Sequence, residues 1–310
     1  MKNVLISGVA GFIGSHLSDY FLKENHRVFG IDNFLTGSLE NIRHNMTNKN
    51  FYFIESDILN EINLEQKLDY ILHFASPASP DDYLKHPIKT LQIGSKGTEN
   101  MLNLAKKNNA RILVASTSEI YGDPLEHPQN ELYYGNVNPI GPRGVYDEAK
   151  RYLEALTSAY KKKVNLNISI ARIFNTFGPR MRINDGRAIP TFINQSINNN
   201  DFTVYGDGSQ TRSFCYIDDT IRGIVSLLKS KYTLPVNIGN PYEISILELI
   251  NIIKELVPGN SKIIFKDLPE NDPKKRCPDI TLAQKLLGWS PKIEILDGLN
   301  KTIEYYRSLN

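Results

Sequence analysis

A doubly wound parallel α/β sheet carrying a smaller α-rich C-terminal lobe is the fold this chain predicts, on three observations. Short apolar runs alternate with helical patterns through the first half of the chain. The runs are nearly continuous in apolar residues, as strands buried on both faces are, and strand–helix alternation of this kind builds βαβ units. A glycine-rich turn then joins the first strand to the first helix, and the second strand ends in an acid.

In chain order the predicted strands are Val4 to Ser7, Arg27 to Asp32, Phe51 to Glu55, Tyr70 to Phe74, Arg111 to Ser116 and Asn167 to Arg172, with a helix from about Phe12 to Glu24. The second half is more mixed. Helical patterns recur at Ile189–Asn198, Asp219–Leu228, Ser245–Val257 and Asp297–Tyr306, with short strands near Thr203–Tyr205 and Lys262–Phe265. Asn198-Asn199-Asn200-Asp201 is a turn, and prolines are denser here. Two interleaved lobes are expected. Residues 1–174 plus about 214–238 form the sheet domain, because Phe214–Ile238 can return to it, and about 175–213 plus 239–310 form a lobe over its mouth. Trp289 reads as a packing anchor of that lobe.

Composition excludes several classes. With 310 residues, 41% hydrophobic and 23% charged, disorder and coiled coil are out. Lys and Arg total 36 against 34 Asp and Glu, a net charge of +2 with no basic excess, so no nucleic-acid partner is expected. Lys161-Lys162-Lys163 reads as a solvated helix end. The two cysteines, Cys215 and Cys277, lie far apart in no metal-ligand spacing, which predicts no metal, no disulfide scaffold and a reducing compartment. No apolar run approaches the ~18 residues a membrane helix needs, and the first is too short for a signal peptide. A cytoplasmic protein with no membrane partner is expected, and the glycosylation-like triplets at Asn45, Asn194 and Asn300 read as chance.

The turn reads Gly8-Val9-Ala10-Gly11-Phe12-Ile13-Gly14. Glycine there permits a tight turn and lets backbone approach a pyrophosphate, while the helix start offers free N–H groups and a positive dipole end. Strand, turn and helix together predict a Rossmann-type dinucleotide site. Asp32, eighteen residues beyond Gly14, can accept from both adenosine ribose hydroxyls. Its charge would repel a 2′-phosphate, and no Arg follows in Asp32-Asn33-Phe34, so NAD is expected over NADP. Asp57 can meet the adenine amino group, though as an isolated Asp it is equally a helix cap.

Tyr146 and Lys150 are four residues apart and share a helix face. A tyrosine acting as a base near neutral pH needs a stabilised phenolate, which a neighbouring ammonium supplies. The polar run Ala115-Ser116-Thr117-Ser118-Glu119-Ile120-Tyr121-Gly122 falls at a strand's C-terminal end, where α/β sheets place ligands. Thr117, Ser118 and Glu119 there can bind a sugar and move protons.

The chain resembles the extended short-chain dehydrogenase/reductase superfamily and, within it, the UDP-glucuronate decarboxylases. The glycine turn and the Tyr146–Lys150 pair carry the broad resemblance. Narrower signals are His73-Phe74-Ala75-Ser76-Pro77-Ala78-Ser79-Pro80, Asn138-Pro139-Ile140-Gly141-Pro142-Arg143, Ala171 to Arg180, Tyr205 to Phe214, and Asp272-Pro273-Lys274-Lys275-Arg276-Cys277-Pro278-Asp279-Ile280. The resemblance implies decarboxylation of UDP-glucuronate to UDP-xylose through a UDP-4-keto intermediate, with the hydride held on NAD and returned. It implies Tyr146 as base, Thr117 on the C4 oxygen, and Ser118 and Glu119 at the carboxylate end and in protonation. The similar 4,6-dehydratases carry Asp where this chain has Ser118, which disfavours dehydration.

The cofactor set implied is Gly8, Gly11, Phe12, Ile13, Gly14, Asp32, Asn33, Phe34, Thr36, Gly37, Asp57, Ile58, Leu72, Ala75, Tyr146 and Lys150. The substrate set is Pro80, Tyr83, Lys89, Asn175, Arg187, Tyr205, Arg212, Tyr216 and Arg276. Tyr83 and Lys89 are placed near the sugar or its carboxylate, and Asn175, Arg187, Arg212, Tyr216 and Arg276 around the diphosphate, with Arg276 also in the reaction. A UDP-uronate carries about three negative charges, which suits arginine forks. A homodimer through the Tyr146 helix and the helix around Gly97–Lys107 is implied too. Gly94 stands where the relatives usually carry Asn. Ser7 for Thr and Val9 for Gly are milder departures. Three other readings stay open: release of UDP-4-keto-pentose with NADH, a UDP-sugar 4-epimerase, and a non-catalytic NAD sensor or scaffold of this fold, against which Tyr146, Lys150 and Thr117 argue.

Overall fold

Nearly continuous apolar runs, rich in Val and Ile and buried along most of their length, produce the central sheet. β1 (Asn3–Ser7), β2 (Arg27–Asp32), β3 (Phe51–Glu55), β4 (Tyr70–His73), β5 (Arg111–Thr117) and β6 (Ile168–Ile173) are joined by a seventh strand, Pro235–Ile238. The order is seventh strand, β6, β5, β4, β1, β2, β3, with every pairing parallel. This structure is a computed structural model and describes residues 1–268 and 275–309; Asp272, Pro273 and Lys274 lie outside them.

Both faces of the sheet are covered, which is why the strands read as continuous apolar runs. Val4, Ile6, Leu72, Leu113 and Ala171 face one core with Leu17 and Phe21 of helix Phe12–Lys23 and Ile221 and Ile224 of helix Ile217–Lys229. Their strand neighbours Leu5, Ile71, Ile112, Val114 and Ile170 face the other, with Met101 and Leu102 of helix Thr98–Asn108 and Leu153 of the Tyr146 helix, Gly144–Val164. The seventh strand pairs with β6 from Pro235↔Ile170 to Ile238↔Ile173. Its four residues give too short a run to announce itself.

The chain crosses from β3 to β4 on the far side of β1, so the strand order reverses between β1 and β4. A crevice opens there at the strands' C-terminal ends. The smaller lobe over it holds helices Ala188–Ile197, Ile246–Leu256 and Ile295–Arg307. Strand Phe202–Tyr205 pairs with Ile263–Lys266, and Thr211–Ser213 with Glu243–Ser245. Ser245 and Glu248 form a capping box at the start of helix Ile246–Leu256. Trp289 is buried and its Nε1 donates to Asp219 O at 3.0 Å, pinning the C-terminal segment to helix Ile217–Lys229. Both cysteines are buried and free. Among the described residues no helix is long and apolar enough to cross a membrane.

One helical junction departs from regularity. Between helices Pro87–Gln92 and Thr98–Asn108 the chain makes a π-helical turn, Ile93–Gly97, against the Tyr146 helix. A Cβ on Gly94 would lie 2.8 Å from both Cβ and O of Ala149. Glycine is what lets this turn approach the residue preceding Lys150.

Candidate active site

The glycine turn is as tight as its composition demands. Gly8 has φ +75°, and a Cβ there would sit 2.7 Å from Ala75 N. A Cβ on Gly14 would lie 2.0 Å from Gly8 O, so the first helical turn can pack on the strand end only without side chains. At the end of β2, Asp32 is buried, its Oδ2 accepting from Ala10 N and its Oδ1 from Phe34 N, each at 2.9 Å. Burial raises its pKa while those backbone N–H groups oppose the rise. The acid therefore ties the turn to β2 and leaves a further lone pair on each oxygen.

The reacting end lies past β5 and at the start of the Tyr146 helix. Tyr146 is buried, stacked on Tyr83 with ring centroids 5.2 Å apart and planes 9° apart, and hydrogen-bonded to the Thr117 side chain. Thr117 also caps the turn Ser118–Tyr121, accepting from Glu119 N at 3.3 Å. Lys150 Nζ donates to Ala115 O at 2.8 Å and lies 5.6 Å from the Tyr146 ring centroid. Burial draws the Lys150 ammonium down to about 8. It also pushes the Tyr146 phenol above its ordinary value, helped by the charge of Glu119 and opposed by Arg187. Beneath them His73 sits between Ser7 Oγ (2.9 Å) and Thr98 Oγ1 (3.1 Å), held neutral by burial and Lys150, at about 3.

Glu119 is the electrostatic centre. Its Oε2 accepts from Arg143 Nη2 at 2.6 Å, and its Oε1 accepts from Arg276 Nη1. Burial alone would raise the carboxyl, but Arg276 and Arg143 outweigh it and hold it at about 2. Arg276 also donates to Gly122 O at 3.1 Å, and Ser213 Oγ donates to its carbonyl at 3.0 Å. Asp147, next to Tyr146, goes the other way: burial and then the charge of Glu119 push its carboxyl up to about 7.

Thr117, Glu119, Arg143, Tyr146, Lys150 and Arg276, though not Asp32, His73 or Asp147, line one cavity of about 630 Å³ that runs from the glycine turn to Arg276. At one end stand Gly8, Gly11, Phe12, Ile13, Gly14 and Thr36, and at the other Thr117, Ser118, Glu119, Tyr146, Lys150 and Arg276. Pro80, Tyr83, Asn175, Arg187, Tyr205 and Arg212 complete its wall. Arg187 is fixed by Asp185, Nη2 to Oδ2 at 2.8 Å.

The family model for GDP-mannose 4,6 dehydratase matches residues 5–302. UDP-glucuronic acid decarboxylase 1 of Xenopus tropicalis is 49% identical over 306 residues, covering 99% of this chain and 72% of that protein. The Danio rerio protein of the same name is 50% identical over 305 residues, 98% of this chain and 72% of that one. UDP-glucuronic acid decarboxylase 4 of Arabidopsis thaliana is 48% identical over 304 residues, 98% and 68%. The chain belongs to the UDP-glucuronic acid decarboxylase family. Among solved structures it is similar to UDP-glucuronic acid 4-epimerase from Bacillus cereus in complex with UDP-glucuronic acid and NAD (TM-score 0.89, 32% identity, 99% and 100% of the two chains). UDP-glucose 4-epimerase from Thermotoga maritima with UDP-glucose gives a TM-score of 0.91 at 26% identity, covering 99% of each chain.

Not every residue expected from the decarboxylase resemblance reaches the cavity. Lys89 does not: its Nζ lies 2.6 Å from Asp57 Oδ2, because helix Pro87–Gln92 turns that side chain toward the end of β3. Tyr216 does not either. It is buried as the N-cap of helix Ile217–Lys229, edge-on to Phe177 at 5.6 Å with Lys301 Nζ 5.4 Å from its ring. Of the expected cofactor residues, Asn33 Nδ2 donates to Asp57 at 3.1 Å and Phe34, at φ 55°, packs on Phe53. Gly37 abuts Asp32 and Ala10, Ala75 abuts Gly8, and Leu72 and Ile58 are core residues.

Other residues went unassigned from the sequence. Arg143 was legible as part of the Asn138–Arg143 segment three residues before Tyr146, one helical turn away, yet nothing local showed that it would share Glu119 with Arg276. Asp147 carried no signal beyond its neighbour. Away from the cavity, Cys277 falls near His127 and Glu243, whose Nε2 and Oε2 are 2.8 Å apart, a grouping no sequence spacing suggests.

Proposed function

We propose that this chain decarboxylates UDP-glucuronate to UDP-xylose with a bound NAD that is reduced and re-oxidised within each turnover. The observation that carries the reading is Glu119, kept ionised between Arg143 and Arg276 beside Tyr146 and Thr117. The decarboxylase relatives and the NAD complex of the similar epimerase support it.

The turn at Gly8, Gly11 and Gly14, where a Cβ would collide, and the buried Asp32 fit a dinucleotide: backbone N–H groups for the pyrophosphate, a carboxylate for the ribose. Bound there, NAD would supply a reversible hydride acceptor. Tyr146, bonded to Thr117 and flanked by Lys150, is the group to take the proton of the C4 hydroxyl. The 4-ketone so formed lies β to the C6 carboxylate. The electrons of the broken C5–C6 bond pass into its enolate as carbon dioxide leaves. Glu119 accepts from both guanidiniums, which favour its ionised form, so its role is to aim the guanidinium of Arg276 rather than to donate a proton. Ser118 offers no acid for dehydration.

Asn175, Arg187, Tyr205, Arg212 and Pro80 then hold the UDP portion. In this reading residues 1–174 plus about 214–238 hold NAD, and about 175–213 plus 239–310 hold the nucleotide sugar. A cytoplasmic homodimer packed through the Tyr146 helix belongs to the same proposal. The resemblance to a UDP-glucuronic acid 4-epimerase favours one second reading, epimerisation at C4 without loss of carbon. Release of label from UDP-glucuronate carrying a marked C6 carboxyl separates them: a decarboxylase frees it, an epimerase retains it in UDP-galacturonate.

A further inference from the structure

We infer that a second, smaller cavity behind Arg276 is a water-filled proton entrance to the active site, and that Asp147 is the carboxyl that relays the proton inward. The inference rests on the decarboxylase reading, because that reaction creates the demand. UDP-glucuronate carries one negative charge more than UDP-xylose, and carbon dioxide leaves neutral, so each turnover consumes one proton. The C5–C6 bond breaks, its electron pair enters the enolate of the 4-ketone, and a C5–H bond forms with a proton from elsewhere.

Among the described residues, the groups beside Tyr146 in the main cavity are committed elsewhere. The proton on Tyr146 comes from the C4 oxygen and returns there. Glu119 is ionised between two guanidinium groups. Lys150 is committed to Ala115 O, and losing its proton would remove the charge beside Tyr146.

The second cavity, about 210 Å³, is lined by Asp123, Asn136, Asn138, Arg143, Asp147 and Arg276 among others, and it shares Arg143 and Arg276 with the main one. Asp123, Asn136 and Asn138 are exposed, whereas Asp147 and Arg276 are 5% and 3% exposed, so the cavity runs from solvent to the wall of the active site. Two buried polar atoms on its wall, Asp147 Oδ1 and Arg276 Nε, have no hydrogen-bond partner in the protein. A buried acceptor and a buried donor on one polar cavity are what ordered water satisfies, and the volume holds several.

Asp147 faces Arg143 at the start of its own helix, Glu119 from the turn after β5, Arg276 from the 275–280 segment and Asp123 across the cavity, with Glu148 beside it. Burial first, and then the charges of Glu119 and Glu148, raise the Asp147 carboxyl towards neutral pH against the two guanidiniums. Water on the edge of Arg276 carries that proton to the main cavity, and solvent restores it. Asp147 acts through that water and is a positioning and relay residue.

Asp147→Asn keeps the volume and cannot release a proton. With UDP-glucuronate, kcat is expected to fall about 10²-fold with KM within about twofold. Reduced cofactor should accumulate on the enzyme during turnover, because the stall follows oxidation, and Asp147→Glu should recover part of the rate. Infrared spectra of protein labelled at aspartate should show a protonated buried carboxyl near neutral pH in the wild type and not in Asp147→Asn. An ionised Asp147 at neutral pH overturns the inference. So does an Asp147→Asn enzyme with unchanged kcat and pH profile, or one slowed without accumulating reduced cofactor. A wild-type protein that releases no carbon dioxide instead overturns the decarboxylase reading beneath it.

Discussion

Glu119 and Arg276 stand 157 residues apart in the chain and meet as an ion pair on the wall of the main cavity. The turn after β5 brings one. Arg276 is brought by a segment tied to strand Thr211–Ser213 through Ser213 Oγ and to Gln129 through Cys277 N, which donates to Gln129 Oε1 at 2.9 Å. The smaller lobe therefore closes on the sheet through a charged contact at the reacting end, and Arg143 makes that contact three-membered.

Removing the charge of Glu119 is the first test of this arrangement. Glu119→Gln leaves two guanidiniums facing each other and should cost roughly 1–3 kcal/mol at neutral pH, discounted because the pair opens onto a cavity. The carboxyl is held near 2, below its ordinary ~4.3. Its contribution is thus complete above the ordinary value and lost as pH falls from about 4.3 towards 2. Thermal unfolding of both proteins across that range should show the gap closing in acid, with turnover lost in the variant at every pH.

Lys150 runs in the opposite sense. Its ammonium is drawn from 10.5 to about 8 by burial, so the charged form opposes folding. The full cost is present below 8 and disappears as pH rises from about 8 through 10.5, where the unfolded chain still holds a proton that the fold has shed. Lys150→Met should therefore melt higher than the wild type at neutral pH, by about 1–2 kcal/mol after loss of the bond to Ala115 O, while losing turnover. A lower melting temperature would mean the ammonium stabilises the fold.

Asp32→Asn keeps one acceptor and removes the charge. NAD affinity should weaken by about tenfold, and NADP, otherwise repelled, should bind nearly as well, since the carboxylate at the end of the second strand is what repels a 2′-phosphate. Titration with both dinucleotides checks this. An unchanged preference would reduce Asp32 to its hydrogen bonds with Ala10 and Phe34.

Gly94→Asn installs the side chain that the decarboxylase resemblance leads one to expect at this place. Here its Cβ must displace Ala149, so the variant should lose roughly 1–3 kcal/mol and turn over more slowly through displacement of the adjoining Lys150. Unchanged melting and kcat would show that the π-helical turn at Ile93–Gly97 yields without consequence.

What could be read from the sequence follows from the range of the physics involved. β1 to β6 and the helix at Phe12 declare themselves through local runs and a turn that only glycine can make. The strand Pro235–Ile238 is too short to do so, and the π-helical turn at Gly94 depends on Ala149, fifty-five residues on. At the site, Tyr146 and Lys150 share a helix, so their spacing was visible. The meeting of Glu119, Arg143 and Arg276 is tertiary, and no local pattern encodes it. Lys89 and Tyr216 show the converse: each fits a family's pattern, while its side chain lies here against Asp57 or in the core.

The most direct measurement is the product of incubating the purified protein with UDP-glucuronate, with and without added NAD, read by mass and proton NMR. UDP-xylose and carbon dioxide formed without net NADH are the expected result, with Tyr146→Phe inactive though still binding NAD. UDP-4-keto-pentose with stoichiometric NADH would contradict the closed hydride cycle, and NAD binding with no carbon dioxide at all would contradict decarboxylation itself.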